Sequence, residues 1–285
     1  MTLSIQKLGR SFVARVTGID LRHAPQPELI AAIEAALGEY GVLHFPDQPL
    51  AEAEQGTFIR SFGPPTVVGA TEAIGKNRNF IDVGNVDDDG KPILLGSTRA
   101  DFLRGNLLWH TDGSFNQPPI RLTCLLAREL PPVPPPTEFA DMRAAWNTLS
   151  PQRQSELEGL RVVHSIVRSR EQMGMTIDRL STETINNKAP VEHPLVRTHP
   201  ANGRKSLYLA AHASHIVGWP LDQGRALLQD LIAFATKPQF VYSHDWKVDD
   251  LVMWDDRWTM HRATPYDAPY ARKMRQCSIG ETEPV

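Results

Sequence analysis

The chain has 285 residues, 41% hydrophobic and 22% charged, with a formal net charge of −3, which is ordinary globular material with enough apolar mass for a sizeable core. That balance, together with the lack of any Lys/Arg run, excludes the basic footprint of a nucleic-acid binder. The only cysteines, Cys124 and Cys277, are too few for a disulfide framework or a thiolate zinc cluster and fit a reducing compartment.

No stretch approaches the ~18 apolar residues of a membrane span, and MTLSIQKLGR carries no apolar leader core, so a cytoplasmic protein without a membrane partner is expected. VARVTGIDL (13–21) reads as a short strand turning at Gly18. PELIAAIEAALGEYG (27–41) puts Leu29, Ile30, Ile33, Ala36 and Leu37 at helical spacing and stops at Gly41. VLHFP (42–46) is a buried strand closed by Pro46, and AEAEQGTFIRSFG (51–63) is a second helix. From 64 to 104 periodicity is lost, and a structureless stretch of that length predicts a functional lid.

IRLTCLLARELP (120–131) is strand-like, and the helical reading resumes over TEFADMRAAWNTLS and PQRQSELEGL. The segment 163–205 is mixed. SLYLAAHASH (206–215) reads as one strand, LDQGRALLQDLIAFAT (221–236) as an amphipathic helix, and 240–265 as two strands split at Val248 to Asp250. No repeat or linker interrupts this order. The pattern therefore predicts one mainly β domain over 1–285, a sandwich or barrel with helices packed outside.

WHTDGSF (109–115) carries the chemistry. His110 and Asp112 flank a single Thr, so one extended segment offers an imidazole and a carboxylate on the same side. Two His and one carboxylate on one face suit a non-haem Fe(II) oxygenase, because the open positions take a cosubstrate and O₂. The His-x-Asp pair alone is a weak signal that also arises as a solvated surface pair. The candidate third ligand is His261, in WDDRWTMHRATPYD.

Taken together, WHTDGSF, TEF, WDDRWTMHRATP and Arg272 resemble the taurine dioxygenase / 2,4-dichlorophenoxyacetate dioxygenase family of Fe(II)- and 2-oxoglutarate-dependent oxygenases. The resemblance runs from GIDLR and VLHFPDQPL through FADMRAAW, HPLVRTH and AHASH to LVMWDDR, and is strongest toward the phenoxyacetate branch. It implies a double-stranded β-helix core of the jelly-roll, cupin-like type, with iron on His110, Asp112 and His261. It further implies that Arg272, eleven positions after His261, and Thr137 hold the distal carboxylate of 2-oxoglutarate, with Asn106 beside the cosubstrate. A homo-oligomer is the family habit.

The physical roles agree. 2-Oxoglutarate can chelate iron through its keto oxygen and C1 carboxylate, leaving one position for O₂. Its far carboxylate then needs a cation, and Arg supplies a planar fork. Oxidative decarboxylation releases succinate and CO₂ and drives C–H hydroxylation, and the carboxylate of Asp112 fills a position that halogenating relatives leave open for halide.

The resemblance also carries a departure. The family's R-x-x-R-R reads Arg272, Lys273, Met274, Arg275, Gln276, so the last Arg, an anion clamp for substrate, is Gln276. Lys91, Arg275 or His212 could restore the charge. An anionic aryloxyalkanoate is the expected substrate, walled by Trp109, Phe115 and Phe102. Two alternatives stay open: a taurine or alkylsulfonate dioxygenase, and a cupin-like metal isomerase or hydrolase that makes no use of 2-oxoglutarate.

Overall fold

The computed structural model describes residues 3–9, 12–66, 80–86, 104–175, 189–265 and 270–282, with single positions 91, 93 and 100. Strands β1 (Ser4–Lys7) and β2 (Val13–Thr17) pair antiparallel. Helix α1 (Pro27–Tyr40) starts on its proline and ends where Gly41 takes φ 85° and donates its N–H to the Leu37 carbonyl at 2.8 Å. β3 (Val42–Phe45) follows at once, buried on both faces and parallel to β2. In α2 (Glu52–Arg60), Glu54 reaches back to accept from the Ala51 N–H at 2.7 Å. Next come β4 (Pro65–Thr66), β5 (Ile81–Gly84) and β6 (Ile120–Glu129). Most of the lid expected over 64–104, Phe102 included, lies outside the described residues.

The helix expected across TEFADMRAAWNTLS is in fact a strand, β7 (Thr137–Asp141), followed by helix α3 (Met142–Thr148). Pairing on both sides of β7 outweighs local propensity, and the Asp141 carboxylate switches the chain into helix by accepting from the Arg143 and Ala144 N–H groups. Helix α4 (Pro151–Leu157) follows, with the Ser150 hydroxyl accepting from the Arg153 N–H. The mixed segment resolves into β8 (Arg161–His164), helix α5 (Ile166–Gln172), β9 (Val191–Pro194), β10 (Val196–Thr198) and β11 (Lys205–Leu207).

SLYLAAHASH is not one strand. β11 ends at Leu207, and β12 (Ala213–Ile216) resumes after an irregular crossing that carries His212. Helix α6 (Leu221–Ala235) matches its amphipathic pattern. The run 240–265 makes three strands rather than two: β13 (Val241–His244), β14 (Leu251–Asp255) and β15 (Thr259–Ala263). The backbone turn at Asp255 to Trp258 supplies the extra break, with the Thr259 hydroxyl on the Asp255 carbonyl at 2.8 Å. β16 (Lys273–Gly280) completes the chain order.

Two sheets build the jelly roll. The larger runs β1-β2-β3-β14-β6-β16-β4, with β5 also on β16, and the smaller runs β13-β7-β15. Between them lies one apolar layer that includes Val42, Leu125, Phe139, Val252, Trp254 and Met274. Period-two alternation sends the neighbouring side chains, Leu43, Leu126, Met253 and Cys277, to the opposite face, where α1 and α2 cover them. That explains why β14 reads as an unbroken apolar run, since it is buried on both faces. Each fully buried Leu or Phe contributes roughly 2 kcal/mol. Helices α3 and α6 cover the outer face of the smaller sheet, where Trp146, Leu227 and Leu228 share an apolar cluster with Ala140 and Met260 of the strands. Cys124 and Cys277 face one another across β6 and β16 as buried free thiols. Among the described residues, no helix is long and apolar enough to cross a membrane.

One glycine sets the approach of β5 to the start of β16. A Cβ on Gly84 would lie 1.8 Å from the Arg272 carbonyl oxygen, so only glycine permits this backbone pairing. Gly84→Ala should therefore displace Arg272 and lower unfolding stability by about 1–3 kcal/mol in urea titration, whereas an unchanged midpoint would mean that β5 moves aside freely.

Candidate metal centre and cosubstrate pocket

His110 and His261 are held to each other by backbone before any side chain is considered. Each donates its N–H to the other's carbonyl, at 3.0 Å and 2.8 Å, in an isolated antiparallel bridge. The rings consequently lie with centroids 4.2 Å apart. The His110 Nδ1 lies 2.7 Å from the Leu108 carbonyl, which makes that nitrogen the donor and leaves Nε2 a lone pair. His261 is fixed by packing, stacked on Phe139 and tilted against Trp254.

Asp112 completes the cluster, with Oδ1 3.8 Å from His110 Nε2 and Oδ2 3.7 Å from His261 Nε2. The three side chains are buried and their ligand atoms all lie within 4.8 Å of one another. Burial pulls His110 down to about 4 and His261 well below its ordinary value, so both imidazoles are neutral at pH 7. Burial likewise pushes the Asp112 carboxyl up. Asp256 lies beside it, accepting the Asp112 N–H at 3.0 Å, and is pushed up by burial and by the Asp112 charge. Two neutral imidazoles beside a carboxylate that, among the described residues, forms no ion pair with a Lys or Arg fit a divalent ion well.

A cavity opens from this face toward the end of the smaller sheet. His110, His261, Asn106, Thr137, Arg272 and Gln276 supply its polar lining, and Val83, Leu125, Trp254 and Ala263 its apolar walls. Thr137 sits at the start of β7, and its Oγ1 accepts from the Trp246 indole N–H at 2.9 Å, so its own proton is free to be donated. Arg272 is buried, with its N–H on the Asn85 side chain at 2.8 Å. Of the residues expected from the sequence, His110, His261, Thr137, Arg272, Asn106 and Gln276 line this one cavity.

The substrate residues divide. Gln276 points inward and donates Nε2 to Asp112 Oδ2 at 2.8 Å, so it orients the carboxylate rather than reaching an anion. Arg275 does not serve the pocket. The alternation of β16 turns it to the opposite face, where it donates to Gln55 Oε1 at 2.6 Å and to the Leu50 carbonyl at 2.9 Å. Lys91 is exposed and does not line the cavity. His212 is buried near His110, with ring centroids 6.3 Å apart, and burial holds it neutral, so it offers a hydrogen bond and not a charge.

Arg170 was not legible in the sequence. Buried on α5, its guanidinium rests where a Cβ on Gly105 would lie 1.8 Å from Nη1. Its positive charge helps pull both His110 and His212 down. Asp256 and Trp246 were missed as well, and only their contacts with Asp112 and Thr137 reveal them.

The model of the family described as "Taurine catabolism dioxygenase TauD, TfdA family" matches residues 4–278. The alpha-ketoglutarate-dependent 2,4-dichlorophenoxyacetate dioxygenase of Cupriavidus pinatubonensis is 41% identical over 98% of both chains. The (S)-phenoxypropionate/alpha-ketoglutarate-dioxygenase of Sphingobium herbicidovorans is 35% identical over 95% of this chain and 92% of its own. The crystal structure of AAD-2 with Mn(II) and N-oxalylglycine superposes with a TM-score of 0.92 at 41% identity, covering 100% of this chain and 98% of that one. A matched model that spans nearly the whole sequence, on a jelly roll with this pocket, places the chain in the TauD/TfdA family of dioxygenases.

Proposed function

We propose that this chain, acting as a single domain, is an Fe(II)- and 2-oxoglutarate-dependent dioxygenase that hydroxylates a small aryloxyalkanoate. The observation that carries this reading is the cavity joining the His110 and His261 face to Arg272 and Thr137. It offers metal-binding nitrogens at one end and a carboxylate-binding fork at the other, the two ends that a 2-oxo diacid requires.

His110 Nε2, His261 Nε2 and Asp112 would hold the ferrous ion. When bound, it supplies activation of O₂ and the oxidation of 2-oxoglutarate to succinate and CO₂. The protein's own contribution is placement. Gln276 fixes one Asp112 oxygen and Asp256 fixes its backbone, so the carboxylate keeps one orientation. Arg272 forks onto the distal carboxylate of the cosubstrate, and Thr137 donates to it a proton that Trp246 has turned outward. Asn106 lines the same cavity and offers an amide to either ligand.

The substrate reading follows the relatives whose names specify phenoxy acids. Hydroxylation of the carbon beside the ether oxygen gives a hemiacetal, which collapses to a phenol and an oxo acid, with net ether cleavage. Because Gln276 lacks a charge and is engaged by Asp112, the substrate carboxylate needs another cation, and the candidate is Arg170, packed against Gly105 next to the cavity-lining Asn106 and near enough to lower both His110 and His212. His212 would add a neutral hydrogen bond.

Arg272→Ala should weaken 2-oxoglutarate by about 100-fold, with iron affinity retained in anaerobic titration, since a buried charge-assisted fork is lost. Retained turnover without 2-oxoglutarate dependence would instead favour a metal isomerase or hydrolase. Arg170→Ala should raise the KM for aryloxyacetates by roughly 10-fold or more while leaving that for 2-oxoglutarate unchanged, as read by succinate release. An unaltered KM across an aryloxyacetate and aryloxypropionate panel would remove Arg170 from the substrate site.

A further inference from the structure

A second cluster of the same donor set lies at the other end of the apolar layer between the sheets. His44 on β3, His244 on β13 and Asp250 just before β14 are all buried, and their ligand atoms also lie within 4.8 Å of one another. His44 Nε2 is 3.0 Å from Asp250 Oδ1 and His244 Nε2 is 3.6 Å from Asp250 Oδ2. Neither nitrogen meets the geometry of a hydrogen bond, although both are sealed from solvent and close enough to Asp250 to hold its carboxyl well below the usual range. An imidazolium paired with the carboxylate would aim an N–H along one of those lines. Lone pairs converging on a common point would not.

The surroundings fix the orientation of His244 and Asp250. The His244 Nδ1 meets the Tyr242 hydroxyl at 3.3 Å, which lets Nδ1 donate outward and leaves Nε2 basic. The Lys247 N–H donates to Asp250 Oδ2 at 2.9 Å and fixes the carboxylate. The two rings stand edge to face, 4.6 Å apart and 66° inclined. Asp249 adopts φ 67°, a left-handed turn that delivers Asp250 into the gap between the sheets.

We propose that His44, His244 and Asp250 form a second divalent-metal site, for a borderline ion of the zinc class. Two imidazole nitrogens and one carboxylate oxygen are a three-ligand zinc set, and burial on every side denies a substrate access to the remaining position. Its role is therefore positional. The His244 ring stands edge to face against Trp246 at 4.5 Å, and the Trp246 indole N–H is the donor that orients Thr137. β13 and β7 also place His244 directly opposite Thr137. An ion at this site fixes the His244 ring, hence the indole, hence the hydroxyl that faces the cosubstrate cavity.

The test is stoichiometry, which is independent of turnover. Full-length protein freed of metal by chelation is loaded anaerobically with Co(II), dialysed, and assayed by elemental analysis and by visible absorption. The wild type should retain two Co(II) per chain. The double variant His110→Ala/His261→Ala should retain one, with the absorption of a low-coordinate nitrogen and oxygen site, and His44→Gln should likewise retain one. One equivalent in the wild type and none in the double variant would overturn the second site while leaving the first intact. No loss of an equivalent in His44→Gln, in protein of unchanged circular dichroism, would overturn the ligand assignment.

Discussion

The structure depends on a carboxylate placed where water cannot solvate it. Asp112 is buried beside a second buried carboxyl, Asp256, and among the described residues its carboxylate accepts from the Gln276 amide and pairs with no Lys or Arg. An unpaired buried charge is among the most unfavourable features a fold can carry, and such groups are normally neutralised, paired or metal-bound. Two neutral imidazoles a few ångström away cannot supply positive charge, but their nitrogens can share a cation with it. A divalent ion held by these three residues would relieve that frustration and leave positions open for a cosubstrate and O₂.

Strand alternation then decides which side chains face the candidate metal site. On β16, Met274 and Gln276 face inward while Arg275 and Cys277 face α2, so two adjacent positions serve the pocket and the scaffold separately. On β7, Thr137 and Phe139 face the same inner layer, one reaching the cosubstrate cavity and the other stacking on His261. A fold built on period two can thus interleave catalytic and structural residues without conflict.

How much of this was legible follows from the range of each interaction. Helix α1 was readable because Pro27, the apolar stripe and Gly41 are local signals. The cluster of His110, Asp112 and His261 and the candidate partners Thr137 and Arg272 were readable from spacing and family resemblance together. β7 was misread as helix because the strands on either side of it, β13 and β15, lie about a hundred residues downstream. Arg170 carried no signal, since only tertiary packing brings α5 against Gly105. The loss of an Arg at Gln276 could be seen, but the hydrogen bond it makes instead could not. Pairing register turned Arg275 away from the pocket, and register is set by the whole sheet.

The reciprocal backbone bond between His110 and His261 has one more implication. Because the main chain itself brings the two imidazoles together, tilted 48° to one another, the cost of gathering them is met when the sheets close. Such a pre-shaped nest selects poorly among first-row ions, whose ranking follows their intrinsic affinities. The identity of the occupant is then governed by supply, so the same polypeptide would be active or silent according to which metals its surroundings hold free.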